Sequence, residues 1–134
     1  MPRRRTEPVW LSRAVVDAIQ ADQVREHGGA VGVRDENALE SALARPQQKR
    51  HYDQDTDLFR LAAAYAFGLV RNHPYRDGNK RTGFLAMATF LGLNGVEFEA
   101  SDAEVVDAIV ALADGSLSKT ALAAWIAAHS GTPG

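Results

Sequence analysis

The sequence predicts an all-α protein, a compact bundle of about six helices that forms a single domain over residues 1–134. Apolar side chains recur at a helical period along most of the chain. Residues typical of helix ends separate these segments from one another. The length and the 46% share of apolar residues are also enough for one domain with a real core.

The first two helices have recognisable ends. Ser12 can cap the first helix, and Gly28 follows its last turn. Asp35 can cap a short second helix that Pro46 ends. The polar stretch 45–55 is predicted to be a loop. The apolar positions of these helices are Val15, Val16, Ile19 and Val24, then Leu39, Ala42 and Leu43.

A third helix is predicted over residues 56–71 and a fourth over residues 78–91. The fourth is apolar almost all round, so we expect it to be the buried centre of the bundle. After a turn at Asn94, residues 96–99 are predicted to be extended. The apolar positions are Leu58, Leu61, Tyr65 and Leu69 in the third helix, and Phe84, Leu85, Met87, Ala88, Phe90 and Leu91 in the fourth.

Two further helices complete the predicted bundle. Ser101 and Glu104 have the spacing of a capping box, in which each side chain satisfies the other residue's backbone N–H. The helix that they open closes near Gly115, and the last helix starts at Ser118. Their apolar positions are Val105, Ile109 and Leu112, then Leu122, Trp125 and Ile126.

Composition restricts the possible functions. The chain has no cysteine, which excludes disulfides, thiolate catalysis and cysteine-bound metal. Its net charge of −2 gives no electrostatic reason to expect direct nucleic-acid binding. We expect the basic run 3–5 to be a mobile tail, and residues 1–7 and 131–134 to be flexible. No apolar run is long enough for a membrane span, and no signal peptide is recognisable, so we expect a cytoplasmic protein.

The segment from His73 to Arg81 concentrates residues that suit chemistry. Pro74 disfavours a helical conformation at His73, so the third helix should end there. The next helix then begins at residue 77 or 78, where unpaired N–H groups and the positive end of the dipole favour a phosphate. Lys80 and Arg81 add cations that are unfavourable at this end unless an anion binds.

Each residue of this segment has a structural and a functional interpretation. His73 is either a hydrogen-bonded structural histidine or a general base, since histidine side chains titrate near neutral pH. Asp77 either caps the helix or binds Mg²⁺ together with nucleotide phosphates. Asn79 either caps the helix or binds a phosphate. Tyr75 is predicted to be a packing anchor, and Arg76 is expected to face water.

The segment H-P-Y-R-D-G-N-K-R over residues 73–81 resembles the motif of the Fic/Doc family, in the form that marks the Doc branch. Residues 27–29, 32–35, 39–46, 57–59, 79–84 and 93–95 also resemble death-on-curing toxins. The resemblance implies a toxin of a toxin–antitoxin pair that transfers the γ-phosphate of ATP to a threonine of elongation factor Tu. It implies these roles: catalysis by His73, assisted by Arg71; Mg²⁺ binding by Asp77; phosphate binding by Gly78, Asn79, Lys80 and Arg81.

Two departures from the Fic pattern bear on the reaction. Fic proteins that transfer AMP have glycine where this chain has Lys80, and a second arginine where it has Phe84. Both changes disfavour AMP transfer and favour phosphoryl transfer, a Ser/Thr kinase activity. AMP transfer to a protein hydroxyl remains the first alternative, and a non-catalytic interaction module with a vestigial site remains the second.

Other departures concern control and secondary contacts. Gln20 stands where many relatives have a histidine, which puts one secondary hydrogen bond in doubt. Tyr75 replaces phenylalanine, a mild change provided that its hydroxyl finds a partner. The pattern of a built-in inhibitory helix is missing, because Gly32 fills the Ser/Thr position before Glu36. We therefore expect a separate antitoxin, whose amphipathic segment would bind in a groove between helices.

Overall fold

The computed structural model describes residues 7–131 and confirms the all-α prediction with six helices. The expectations for residues 1–6, including the basic run, and for 132–134 lie outside the described residues. The elements are α1 Arg13–His27, α2 Glu36–Tyr52, α3 Leu58–Asn72, α4 Asn79–Leu93, β1 Glu97–Phe98, α5 Asp102–Asp114, α6 Lys119–Ala128 and β2 Ser130–Gly131.

The centre of the bundle is α3, with α2, α4 and α6 packed against it. Nine of its residues between 61 and 70 are buried, and only Phe67 in that stretch is not. Small residues allow this close packing, since a Cβ at Gly68 would lie 2.9 Å from the Cβ of Ala42 in α2. The helix after the loop, α4, shares this core but is not its centre, because Phe84 and Leu85 are only half-buried and line a surface cavity.

The second helix does not end at Pro46, so the predicted loop over residues 45–55 is wrong for most of its length. Pro46 lacks an N–H and cannot donate to the carbonyl of Ala42, yet α2 continues to Tyr52. Pro46 and Arg50 are buried, and this packing outweighs the lost hydrogen bond.

The ends of the other elements follow local chemistry. Ser12 and Asp35 cap their helices as predicted, and Ser101 with Glu104 forms the predicted capping box. The last helix begins after Ser118, whose side chain caps it. The extended piece after α4 pairs with β2 in an antiparallel register. Residue 131, which lies in the stretch expected to be flexible, pairs with residue 97 in this register. Glu7, also expected to be flexible, is exposed, with its Oε1 3.7 Å from Nε of Arg50.

Candidate active site

The loop between α3 and α4 begins in a strained backbone conformation. His73 ends α3 with φ 47° and ψ 55°, and it is the one non-glycine residue with positive φ among residues 7–131. This left-handed conformation is unusual before a proline and costs about 1–3 kcal/mol. Surrounding structure must therefore hold His73 in place.

Part of that support comes from the segment before α2. Backbone N–H groups of Arg34 and Asp35 donate to the Pro74 carbonyl at 2.8 and 3.0 Å. The Arg34 guanidinium donates to the carbonyls of His73 at 2.8 Å and Asn72 at 3.1 Å, which α3 leaves without helical partners. The sequence interpretation gave Arg34 no such role, and no local signal could have revealed it across 38 residues.

Tyr75 and Asn79 hold the middle of the loop. The Asn79 side chain accepts from the Tyr75 N–H at 2.9 Å and donates to the Tyr75 carbonyl at 3.0 Å. This amide therefore neither caps α4 nor is free for a phosphate, and it positions the loop instead. The buried Tyr75 hydroxyl donates to Asp17 at 2.6 Å, so the partner that it required exists. Burial, followed by this contact, raises the pKa of Tyr75.

Asp77 is held against the segment after α1. Its Oδ2 accepts from the Ala30 N–H at 2.7 Å. A Cβ at Gly29 would lie 2.8 Å from the Asp77 Cβ, so only glycine fits there. The carboxylate is exposed at the cavity described below. Asp77 does not cap α4, because the cap residue is Gly78, with φ 74°.

Gln20 links three backbone groups around Asp77. Its side-chain amide donates to the carbonyls of Ala30 at 3.2 Å and Asp77 at 3.0 Å, and its Oε1 accepts from the Gly32 N–H at 3.2 Å. Gln20 is 1% exposed, so its end of each bond is shielded from water. The glutamine at this position therefore makes three hydrogen bonds of its own to the backbone.

The start of α4 leaves several donors without helical partners. Gly78 has no side chain to cap the helix, and the first helical bond runs from the Thr82 N–H to the Gly78 carbonyl at 2.9 Å. The N–H groups of Asn79, Lys80 and Arg81 therefore have no acceptor within the helix. The side chains of Lys80 and Arg81 are exposed beside them. This arrangement can bind an anion.

These groups face one cavity of about 730 Å³ between the loop, α4 and α5. One end is polar and charged, and the other is formed by apolar side chains of α4 and α5. Six of the seven predicted site residues line it. The lining residues are Gln23, His73, Arg76, Asp77, Gly78, Asn79, Lys80, Arg81, Phe84, Leu85, Val105, Val106, Ile109 and Val110.

The seventh predicted residue, Arg71, is not brought to the cavity. Its guanidinium donates to the Leu112 carbonyl at 3.3 Å, near the end of α5. It also lies 5.8 Å from the centre of the Phe67 ring. Arg71 therefore connects α3 with α5, and nothing in its surroundings supports the expected assistance to His73.

Comparison with known proteins identifies the family. A sequence profile described as the Fic/DOC family matches residues 10–91. Protein kinase doc of Escherichia phage P1 is 33% identical over 106 residues, which are 79% of this chain and 83% of that protein. Toxin Doc of Mycolicibacterium smegmatis (strain ATCC 700084 / mc(2)155) is 46% identical over 74 residues, 54% of this chain and 57% of that protein.

The chain belongs to the Fic/DOC family. The Fic/DOC match includes the whole charged end of the cavity and stops inside α4. The apolar wall that α5 contributes therefore lies outside the matched residues. No helix in the described part of the chain is both long and apolar enough to cross a membrane.

Proposed function

We propose that this Fic/DOC protein is a toxin that uses ATP and Mg²⁺ to phosphorylate a hydroxyl side chain of a translation factor, with elongation factor Tu as the first candidate. One observation carries the proposal: His73 and Asp77 share a cavity with the uncapped, doubly cationic start of α4. The names of the two relatives, a protein kinase and a toxin, support it.

In this proposal the start of α4 binds the phosphates of ATP. The N–H groups of Asn79, Lys80 and Arg81 would donate hydrogen bonds to the phosphate oxygens, and the side chains of Lys80 and Arg81 would add two cations. His73 takes the proton from the target hydroxyl while that oxygen bonds to the γ-phosphorus. The bond between the γ-phosphorus and the bridging oxygen breaks, and ADP leaves.

The residues around Asp77 fit a magnesium ion that also binds nucleotide. One carboxylate oxygen accepts from Ala30, and the carboxylate remains exposed at the cavity. Among residues 7–131 no three His, Cys, Asp or Glu side chains cluster as a metal cage. Mg²⁺ suits such a site, since it commonly binds one or two carboxylates and completes its coordination with phosphate oxygens and water. When bound, it would neutralise charge on the phosphates.

Phosphoryl transfer is favoured over AMP transfer by the surroundings of two residues. The exposed cation of Lys80 stands in the cavity where proteins that transfer AMP have glycine. Phe84 packs edge-on against Phe98, with ring centres 5.9 Å apart, and offers no donor for a second phosphate. A vestigial binding module is disfavoured by the strained conformation of His73, which several contacts maintain.

The test is expression of His73→Ala beside the unmodified protein. Loss of a general base typically costs about 10²–10⁴-fold in rate, so growth arrest should disappear. The matched control is His51→Ala, which removes an exposed histidine of α2 and should leave the arrest intact. An arrest that persists in His73→Ala would contradict the proposed chemistry.

Labelled ATP separates the two reactions. With purified elongation factor Tu, label in the γ-phosphate should enter the target, and label in the α-phosphate should not. Transfer of the α-label would favour AMP transfer instead. We further propose action in the cytoplasm and inhibition by a cognate antitoxin, so co-expression of that antitoxin should restore growth.

A further inference from the structure

A second cavity, of about 370 Å³, lies between α2, α3 and α6 and shares no residue with the first. Three cations, Arg45, Lys49 and Lys119, face it. The other residues that line it are Ser41, Gln48, Tyr52 and Ala64.

The continuation of α2 past Pro46 builds this cavity. Ser41, Arg45, Gln48 and Tyr52 are spaced by four, three and four residues, so they share one face of the helix. Had α2 ended at Pro46, the last two of these residues would not belong to that face. The first residue of α6, Lys119, approaches the same cavity from another element.

The charge of this cavity is not balanced. None of its three cations takes part in the ion pairs found among residues 7–131. Arg45 and Lys49 are four residues apart on one helix, where like charges repel. Arg13, by contrast, contacts three carboxylates. The imbalance is therefore local, because acidic residues outnumber basic ones in the whole chain.

The positive charges of Lys49 and Arg45 also act on Lys119. Burial lowers its pKa, and the charges of Lys49 and Arg45 lower it further. Its ammonium lies 5.2 Å from the centre of the Phe67 ring, which holds it near the cavity. A cation in the first turn of a helix is also unfavourable, because that end of the helix dipole is positive. An anion in the cavity would relieve each of these costs.

We propose that this cavity binds a small phosphate-bearing anion. Its volume lies in the range of small-molecule sites, about 300–1,000 Å³. An arginine and two lysines from two helices can donate charge-assisted hydrogen bonds to one phosphoryl group. The concave shape favours a compact ligand over an extended acidic peptide. The proposal is independent of the proposed kinase activity, because no residue of the first cavity takes part.

Backbone amide NMR of the full chain, titrated with inorganic pyrophosphate, tests this site. Signals of Lys49, Ala64 and Lys119 should shift in one saturable step. Any binding at the start of α4 would shift the signals of residues 78–81 instead, so the two sites are read separately. Lys119→Gln should weaken the step about tenfold, from the loss of one charged donor. Lys119→Arg, which keeps the charge, should retain it.

Arg25→Gln is the matched control, because it removes an exposed cation of α1 and should leave the titration unchanged. Absence of shifts at Lys49 and Lys119 up to about 10 mM pyrophosphate, beyond the millimolar range of weak complexes, would overturn the proposal. So would shifts that Lys119→Gln leaves unaltered. An acidic peptide without phosphate that binds as tightly as pyrophosphate would assign the cavity to a protein partner instead.

Discussion

The starts of α5 and α4 treat their unpaired backbone N–H groups in opposite ways. At the start of α5, the Ser101 hydroxyl accepts from the Glu104 N–H at 3.1 Å, and the Glu104 carboxylate accepts from the Ser101 N–H at 3.0 Å. At the start of α4, Gly78 supplies no side chain, and Lys80 and Arg81 add positive charge. The α5 end is satisfied by its own residues, whereas the first N–H groups of α4 have no acceptor within the helix and no side-chain cap from Gly78.

The difference shows that the start of α4 lacks the stabilising cap that the start of α5 has. Side chains from other elements hold the loop before α4: the Gln20 amide donates to the Asp77 carbonyl, and the Arg34 guanidinium donates to the His73 carbonyl at the end of α3. These distant tethers fix the loop without occupying the helix N–H groups. We infer that the α4 start is organised for a ligand and the α5 start for stability.

The strongest test of this contrast is Lys80→Gln. The phosphoryl-transfer rate should fall about 10²–10³-fold, as when one donor to developing charge is lost. The free energy of unfolding should rise by about 0.3–1 kcal/mol, because a cation leaves the positive end of a helix. Labelled-ATP assays and urea unfolding measure the two effects.

Arg25→Gln is again the control, since Arg25 pairs with Asp22 on α1 at 3.3 Å and should affect neither rate nor stability by more than a small amount. If Lys80→Gln lost rate and stability together, the α4 start would be a structural feature, and the contrast with α5 would fail.

A second test uses two neighbouring glycines that differ in one contact. Both have positive φ, +88° at Gly28 and +113° at Gly29, so the strained backbone that alanine would adopt at either costs about 1–3 kcal/mol. Only at Gly29 would the new Cβ meet Asp77, at 2.8 Å, while at Gly28 nothing lies within 4 Å. Gly29→Ala should therefore also lower the transfer rate, about 10²-fold if Asp77 moves by an ångström. Equal rates in the two variants would separate Asp77 from the chemistry.

A third test, Ser101→Ala, removes the side-chain cap at the start of α5. Loss of this cap should cost about 1 kcal/mol of unfolding free energy, measured by urea denaturation. The transfer rate should not change, because Ser101 does not line the active-site cavity. Ser118→Ala, which removes the cap of α6, should give a similar loss of stability. A fall in activity for Ser101→Ala alone would show that the two helix starts are coupled.

How far the sequence predicts this molecule depends on the distance over which each feature acts. The capping box at Ser101 needs residues only three apart, and the site motif needs nine consecutive ones, so both were recognisable. The continuation of α2 past Pro46 was not recognisable, because packing against α3 outweighs the tendency of proline to end a helix. The hydrogen bond from Gln20 to the Asp77 carbonyl joins residues 57 apart in the sequence, and the bond from Arg71 to the Leu112 carbonyl of α5 joins residues 41 apart. Such contacts leave no local pattern.

The smallest expected effect concerns pH at the α5 end. Glu104 Oε2 lies 2.7 Å from Nε2 of His129, whose Nδ1 lies 2.8 Å from the Trp125 carbonyl. The Ser101 N–H, followed by His129, lowers the pKa of Glu104 from 4.5 to about 2. The Trp125 carbonyl, followed by Glu104, raises the pKa of His129 above 6.5. Both shifts favour the charged pair in the folded chain.

The directions of the two pKa shifts define the pH range in which this pair stabilises the folded chain. The lowered pKa of Glu104 gives stability that is present above 4.5 and is lost as pH falls toward 2. The raised pKa of His129 gives stability that is present below 6.5 and is lost as pH rises through its folded value. The pair therefore stabilises most between pH 4.5 and 6.5. Thermal unfolding of His129→Gln should differ from the unmodified protein there, and less in alkaline buffer, with His51→Gln as the exposed control. A difference that stays the same in alkaline buffer would mean that His129 acts through packing on Trp125 rather than through charge.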